Sequence, residues 1–173
     1  CDWSSDVCSS DLGGYGNYDR KGFELGIKTA MSYNFPITIA GPKNNENWFS
    51  SNPWVKGYPK LSVVYDLPNE QLRQLYTSHT IFLHPSELEA GHPNLTILEA
   101  AACGLPVLGW IEEETFFGGM WRAPRNLQHM LTGMEDILNK YDSYRIHALE
   151  HARSLSWLNR TKELIKIYER YTN

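Results

Sequence analysis

A polar segment between two apolar stretches carries the side chains best suited to chemistry. Residues 87–99 read ELEAGHPNLTILE, so that carboxylates, an imidazole and an amide lie close together. The apolar run at residues 80–83 predicts a buried strand, and the Leu- and Ala-rich residues 95–103 predict a short helix. Asn94 is suited to cap that helix, whose first N–H groups and dipole favour anions. The pattern therefore predicts an anion-binding loop at the carboxyl edge of a sheet.

Glu99 lies one turn inside the predicted helix, in an otherwise apolar segment. A carboxylate in such a place must find hydrogen-bond donors, and sugar or ribose hydroxyls are suitable ones. His92 lies in the anion loop and can hydrogen-bond a phosphate, above all when it is protonated. The alternatives at this stage are a Glu99 that caps or ion-pairs a surface helix and a His92 that is purely structural.

A glycine-rich loop near the beginning of the chain offers a second phosphate contact. Residues 13–22 read GGYGNYDRKG and precede a predicted helix at residues 21–34. Glycines let the backbone approach a phosphate, and Arg20 and Lys21 add positive charge where the helix begins. A glycine-rich loop alone is weak evidence, because an ordinary surface loop is the commoner explanation, and the motif gains weight only together with residues 89–109.

Composition limits the classes of function. The chain has 173 residues, 42% of them hydrophobic, which is enough for one domain with a core. The net charge of −4 does not favour a nucleic-acid-binding surface. No apolar run is long enough to predict a membrane span.

The first twelve residues, CDWSSDVCSSDL, resemble a translated sequencing adapter over their whole length. We predict that residues 1–12 are not native and set them aside from the fold, the alternative being a genuine polar N-terminus. Cys103 is then the one remaining cysteine, so neither a disulfide nor a metal site is predicted.

The remaining patterns predict the fold. The order β-α-β-β-α-β-α-β-α-α-α, with short apolar strands, indicates an α/β domain with an open, doubly wound parallel sheet. Ligands of such sheets bind at the carboxyl edge. Residues 43–58 are polar and predict a surface excursion, in which Trp48 and Trp54 either stack on a sugar or fix the segment to the core.

Several of these segments together resemble a known donor-site signature. They are Glu89, residues 91–94, residues 98–100 and residues 103–107. The signature belongs to retaining GT-B glycosyltransferases of the sucrose-synthase and mannosyltransferase-like group, and the resemblance extends over most of the chain after residue 12. The family usually has seven residues between its two glutamates, whereas nine separate Glu89 from Glu99.

The resemblance implies roles for individual residues. Glu99 would bind ribose hydroxyls and Glu89 the sugar, which with Lys21 would make up the catalytic set. Residues 65–67 would contact the nucleobase through the loop Tyr65, Asp66 and Leu67. The donor diphosphate would be bound by Lys21, Arg20, His92, Pro93, Asn94 and Leu95.

The resemblance also implies an activity. We expect residues 13–173 to be the Rossmann-like, nucleotide-sugar-binding half of a GT-B enzyme, with the N-terminal acceptor domain missing from this chain. The reaction would move a sugar from a nucleotide-diphosphate sugar to a hydroxyl of a glycan, lipid or small molecule. Anomeric configuration would be retained, with no metal or other cofactor.

We expect a cytoplasmic protein, with peripheral membrane attachment as an alternative, and a fragment that is inactive alone. The alternative functions are a non-catalytic nucleotide-sugar-binding fragment and a GT-B sugar-nucleotide epimerase.

Overall fold

The computed structural model describes residues 7–10, 21–43, 46–86, 95–110 and 117–172, with residues 7–10 and 172 described by their backbone alone. Within these ranges the chain forms one parallel sheet with helices on both faces. The predicted α/β class with an open, doubly wound parallel sheet is confirmed.

The sheet has the spatial order β3-β2-β1-β4-β5-β6, and each neighbouring pair is parallel. Chain order reverses direction between β1 and β4, so that the switch point, where such folds bind ligands, lies at the carboxyl ends of these two strands. The strands are β1 (Val7–Ser10), β2 (Ile37–Gly41), β3 (Leu61–Tyr65), β4 (Ile81–His84), β5 (Val107–Gly109) and β6 (Met120–Arg122).

The helices cover two separate apolar cores, one on each face of the sheet. Strand β4 supplies both, because Ile81 and Leu83 enter the first core and Phe82 enters the second. The helices are α1 (Phe23–Ser32), α2 (Glu46–Ser51), α3 (Pro53–Lys56), α4 (Asn69–Ser78), α5 (Leu95–Ala102), α6 (Leu127–Asn139), α7 (Tyr141–Ser154) and α8 (Trp157–Thr172). Buried residues of α1 and α6 belong to the first core, and those of α4, α5 and α7 belong to the second.

Two segments differ from their predictions. Residues 43–58 contain α2 and α3, whose Phe49 and Val55 are 7% and 2% exposed and enter the first core. Helices this short are stabilised by packing more than by local sequence. The polar composition of the segment therefore did not predict them. The sequence also predicts no strand between residues 111 and 126, yet β6 extends the edge of the sheet beside β5.

Strand β1 lies within the segment that the sequence analysis set aside. Val7–Ser10 pairs with both β2 and β4 and therefore occupies the centre of the sheet. Main-chain hydrogen bonds form the ladder, and they depend little on side-chain identity. The structure thus includes in the sheet four of the residues that the sequence analysis set aside, and their adapter origin stays a prediction.

The last helix lies largely outside both cores. In α8, Leu164 is 49% exposed, Tyr168 63% and Tyr171 86%. The resemblance implies that this helix braces a neighbouring domain, which stays a prediction. None of the described helices combines the length and apolar character required to cross a lipid bilayer.

Candidate functional site

The backbone at the switch point is held from two sides. Gly22 has a φ of +70°, and a Cβ atom there would lie 2.4 Å from the carbonyl oxygen of Pro85. Arg125 donates a hydrogen bond from Nε to that same oxygen, at 3.1 Å. Since Lys21 directly precedes Gly22, these contacts place it beside the chain as it leaves β4. The close approach explains why position 22 requires glycine.

The neighbouring strand β5 is fitted to β4 with equal closeness. A Cβ atom on Gly109 would lie 1.9 Å from the carbonyl oxygen of His84, and the Trp110 N–H donates to that oxygen at 3.1 Å. His84 and Ser86 are both buried at this edge. These contacts fix the backbone where the chain leaves β4.

The predicted base-binding loop follows β3 at the same edge. Asp66 is exposed and has a φ of +50°, a conformation that Asp tolerates better than most residues. Its N–H donates to the Gly41 carbonyl at 3.0 Å, and its Oδ1 accepts from the Lys43 N–H at 3.2 Å. Tyr65 packs against the first core and Leu67 against the second, which anchors the loop on both faces.

Glu99 lines a groove between α4 and α5 with a volume of about 330 Å³, which we call the Glu99 groove. Its lining residues are Asn69, Leu72, Arg73, Tyr76, Glu99, Ala102 and Cys103. Glu99 is exposed, and its carboxylate accepts a hydrogen bond from the hydroxyl of the buried Tyr76.

Two opposing effects act on the Glu99 carboxyl. Desolvation by the neighbouring groups raises its pKa and outweighs the hydrogen bond from Tyr76, which lowers the pKa. Burial likewise raises the pKa of the Cys103 thiol in the same groove. Cys103 is a free cysteine and partly exposed.

A second cavity, of about 400 Å³, lies on the opposite face of the sheet. We call it the Trp48 cavity; Gly22, Glu24, Leu25, Lys28, Trp48, Arg125 and Leu127 line it. Trp48 packs against the rings of Phe23 and Phe49, with centroids 5.5 and 5.0 Å away. These contacts favour the predicted anchoring role of Trp48 over a sugar platform.

The predicted site residues divide into two groups. Of the described ones, residues 65–67 form the loop after β3, Lys21 directly precedes the Gly22 that contacts Pro85, Leu95 is the first residue of α5, and Glu99 lines its groove. Among the described lining residues, neither cavity contains both Lys21 and Glu99. The predictions for Arg20, Glu89, His92, Pro93 and Asn94 lie outside the described residues.

One residue of the site was missed by sequence reasoning. Tyr76 is predicted only as an inward-facing residue of α4, and the structure adds its contact with Glu99. The helical spacing around residue 76 gave its burial, but nothing in the sequence pairs it with a carboxylate 23 positions later.

The fold and its ligand-binding edge define a class of protein. A doubly wound parallel sheet with these crossovers is a Rossmann-like domain, and the chain shares this fold with solved glycosyltransferase structures. Residues 24–118, more than half of the chain, match the glycosyl transferase-like family. The chain therefore belongs to the glycosyl transferase-like family.

Solved structures share this fold at low sequence identity. Sucrose-phosphate synthase from Thermosynechococcus elongatus superposes with a TM-score of 0.76 at 18% identity, over 97% of this chain and 45% of that one. The pneumococcal O-GlcNAc transferase GtfA, in complex with UDP and GlcNAc, gives 0.68 at 13% identity, over 96% and 35%. UDP-GlcNAc 2-epimerase from Neisseria meningitidis, bound to UDP-GlcNAc, gives 0.61 at 16% identity, over 86% and 39%.

The chain thus spans less than half the length of each of these three proteins. A search of curated proteins finds no significant sequence match.

Proposed function

We propose that this chain is the donor-binding domain of a retaining, metal-independent glycosyltransferase. It would bind a nucleotide-diphosphate sugar, whose sugar is transferred to an acceptor hydroxyl. The observation that carries the proposal is the Glu99 groove, where a carboxylate lies beside α4, the helix that follows the base-binding loop. Family membership supports the transferase activity in general.

The groove suits a nucleoside. Its volume of about 330 Å³ lies within the range of small-ligand sites, and Leu72 and Ala102 give it apolar walls. The loop of residues 65–67 leads directly towards Asn69, the first residue of α4, at one end of the groove. We therefore place the base against this loop and the ribose hydroxyls as donors to Glu99.

The departing diphosphate would lie across the switch point. Bond cleavage leaves negative charge on it, which must be met by donors already in place. Lys21 precedes Gly22, which contacts Pro85 on one side, and α5 begins at Leu95 on the other, with its first N–H groups directed towards this edge. A cation and a helix N-terminus can meet this charge without a metal, and Glu89 stays the proposed contact for the sugar.

Two structural neighbours support a nucleotide sugar as the partner. GtfA is described with UDP and GlcNAc, and the Neisseria enzyme with UDP-GlcNAc. The greater length of the neighbours supports a second domain that binds the acceptor, whether glycan, lipid or small molecule. The expected cytoplasmic location stays a prediction.

Calorimetry on the chain tests the proposal. UDP and ADP should bind, and Glu99→Ala should weaken the tighter of them by about 3 kcal/mol, roughly a hundredfold, because two hydrogen bonds to a charge are lost. Glu163→Ala, which removes an exposed carboxylate from α8, is the matched control and should change nothing. Unchanged affinity in Glu99→Ala would refute the role of Glu99.

A sugar-nucleotide epimerase is the second candidate, because one structural neighbour is an epimerase. Incubation with UDP-GlcNAc followed by proton NMR separates the two chemistries. Conversion to a sugar epimer without an acceptor would favour the epimerase. Binding without turnover, even when an acceptor domain is supplied, would favour the non-catalytic alternative.

A further inference from the structure

Tyr76 is held rigidly beneath the Glu99 groove. The residue is 2% exposed, and its ring meets that of Phe82 edge-on, with centroids 5.8 Å apart and planes at 80°. Strand β4, which carries Phe82, is in the centre of the sheet. The Tyr76 ring is therefore fixed, and its side chain lines the same groove as Glu99 of the neighbouring helix, to whose carboxylate its hydroxyl donates.

Glu99 itself would otherwise be free to move. It lies on an exposed surface of α5, where a long carboxylate side chain samples several rotamers. A side chain that must be ordered when a ligand arrives costs binding free energy, and a contact made beforehand reduces that cost. The hydrogen bond from Tyr76 is such a contact.

The charged groups around the carboxylate are few among the described residues. Helix α4 contributes Arg73, which is exposed and lies 3.5 Å from Glu70 in an ion pair. Helix α5 contributes the neutral thiol of Cys103, and α7, which packs on α5, places Arg145 beside Gly104. The effects on the pKa of Glu99 are desolvation, which raises it, and the Tyr76 hydroxyl, which lowers it.

We propose that Tyr76 is a positioning residue for nucleotide recognition: its hydroxyl holds one oxygen of Glu99 and leaves the other directed at the ribose hydroxyls. This inference rests on the proposed function. A neutral donor suits the role because an ion-pair partner would compete with the ribose for the same carboxylate.

Tyr76→Phe is the direct test, since it removes the hydroxyl and keeps the ring against Phe82. The full chain is used, with two readouts: the pKa of the Glu99 carboxyl by ¹³C NMR, and UDP affinity from pH 4 upward. Tyr171→Phe, at an 86% exposed position on α8, is the matched control. Thermal unfolding checks that each variant is folded.

The expected result has two parts. Loss of a donor to the ionised form raises the pKa of Glu99, and because Tyr76→Phe keeps the ring in place, the desolvation of the carboxyl stays the same. UDP binding weakens roughly three- to tenfold at neutral pH, as for one lost hydrogen bond. Because the ribose needs the ionised carboxylate, binding fades as pH falls through the Glu99 pKa, and it fades at a higher pH in the variant.

The alternative outcomes are distinguishable. An unchanged Glu99 pKa in Tyr76→Phe overturns the inference, as does unchanged UDP affinity while Glu99→Gln binds weakly. If Glu99→Gln also binds UDP normally, the proposed function is refuted, and the positioning role of Tyr76 is refuted with it. The NMR readout reports the hydrogen bond in every case, because it requires no nucleotide.

Discussion

Two regions of the molecule contain a tyrosine that donates to a carboxylate, and they differ in the remaining partners. At the corner between α6 and α7, Tyr144 donates to Asp136 Oδ2 at 2.6 Å, and Lys140 donates to Oδ1 at 2.7 Å. In the Glu99 groove, Tyr76 donates to Glu99, and desolvation is the larger effect on the carboxyl. The corner thus satisfies both carboxylate oxygens, one of them with a cation.

The difference appears in the pKa values. The hydrogen bonds from Lys140 and then Tyr144 hold the pKa of Asp136 below its ordinary value. Desolvation holds the pKa of Glu99 above its ordinary value, despite the hydrogen bond from Tyr76. A saturated carboxylate stabilises the fold, whereas one that retains accepting capacity in a groove is suited to a ligand. The hydrogen-bond partners of a carboxylate therefore distinguish one that stabilises the fold from one that is a candidate for binding a ligand.

The comparison assumes that backbone contacts hold the sheet edge beside the groove in place. Gly22→Ala tests this assumption and should have the largest effect of the variants. The added Cβ would meet the Pro85 carbonyl at 2.4 Å with φ at +70°, so we expect a loss of roughly 3 kcal/mol in unfolding free energy. Urea unfolding measures it. Gly57→Ala is the matched control, because φ there is −75° and the nearest atom is 3.4 Å away. Equal stability of the two variants would contradict the fixed edge.

Asp136→Asn tests the structural half of the comparison. Removing the charge weakens the hydrogen bond from Tyr144 of α7 and the one from Lys140, the residue between the two helices, so the free energy of unfolding should fall by roughly 1–2 kcal/mol at neutral pH. UDP affinity should stay unchanged, because Asp136 is not among the described residues that line the Glu99 groove. Glu150→Gln, an exposed site on α7, serves as the control in the same unfolding assay. A loss of nucleotide binding in Asp136→Asn would break the distinction.

The pH dependence of stability should have opposite signs in the two regions and is the smallest effect. The lowered pKa of Asp136 gives stability that is present above its ordinary value of 3.8 and is lost as pH falls through the folded pKa. The raised pKa of Glu99 gives a contribution present below its ordinary value of 4.5 and lost as pH rises through the folded pKa. Unfolding from pH 3 to pH 7 measures both.

Relative to the wild type, Glu99→Gln should therefore gain stability as pH rises, and Asp136→Asn should lose it. Parallel curves for the two variants would show that the two carboxylates are equivalent.

The sequence predicted the elements that depend on local patterns. Apolar runs coincide with β2 to β5, and the predicted helix at residues 95–103 is α5, which is followed by Gly104 with a φ of +80°. It did not predict α2 and α3, which depend on burial of Phe49 and Val55 in the first core. Nor did it predict β1 as the central strand, because main-chain pairing leaves little trace in side-chain pattern.

The site shows the same division. The position of Glu99 on a helix follows from its neighbours in sequence, and α5 contains it, whereas its role in the site stays a prediction. Its contact with Tyr76 depends on how α4 and α5 lie side by side, which no spacing within either helix encodes. Contacts between the helices of adjacent crossovers are therefore the feature of the site that the sequence did not predict.

The most direct test of the central claim is to map UDP on the isotope-labelled chain by NMR. We predict amide shifts in the Glu99 groove, at Leu72, Tyr76 and Glu99, together with Gly22 at the switch point, and loss of the groove shifts in Glu99→Ala. Shifts confined to the Trp48 cavity, or the same groove shifts in Glu99→Ala, would contradict the assignment of Glu99 as the ribose-binding residue.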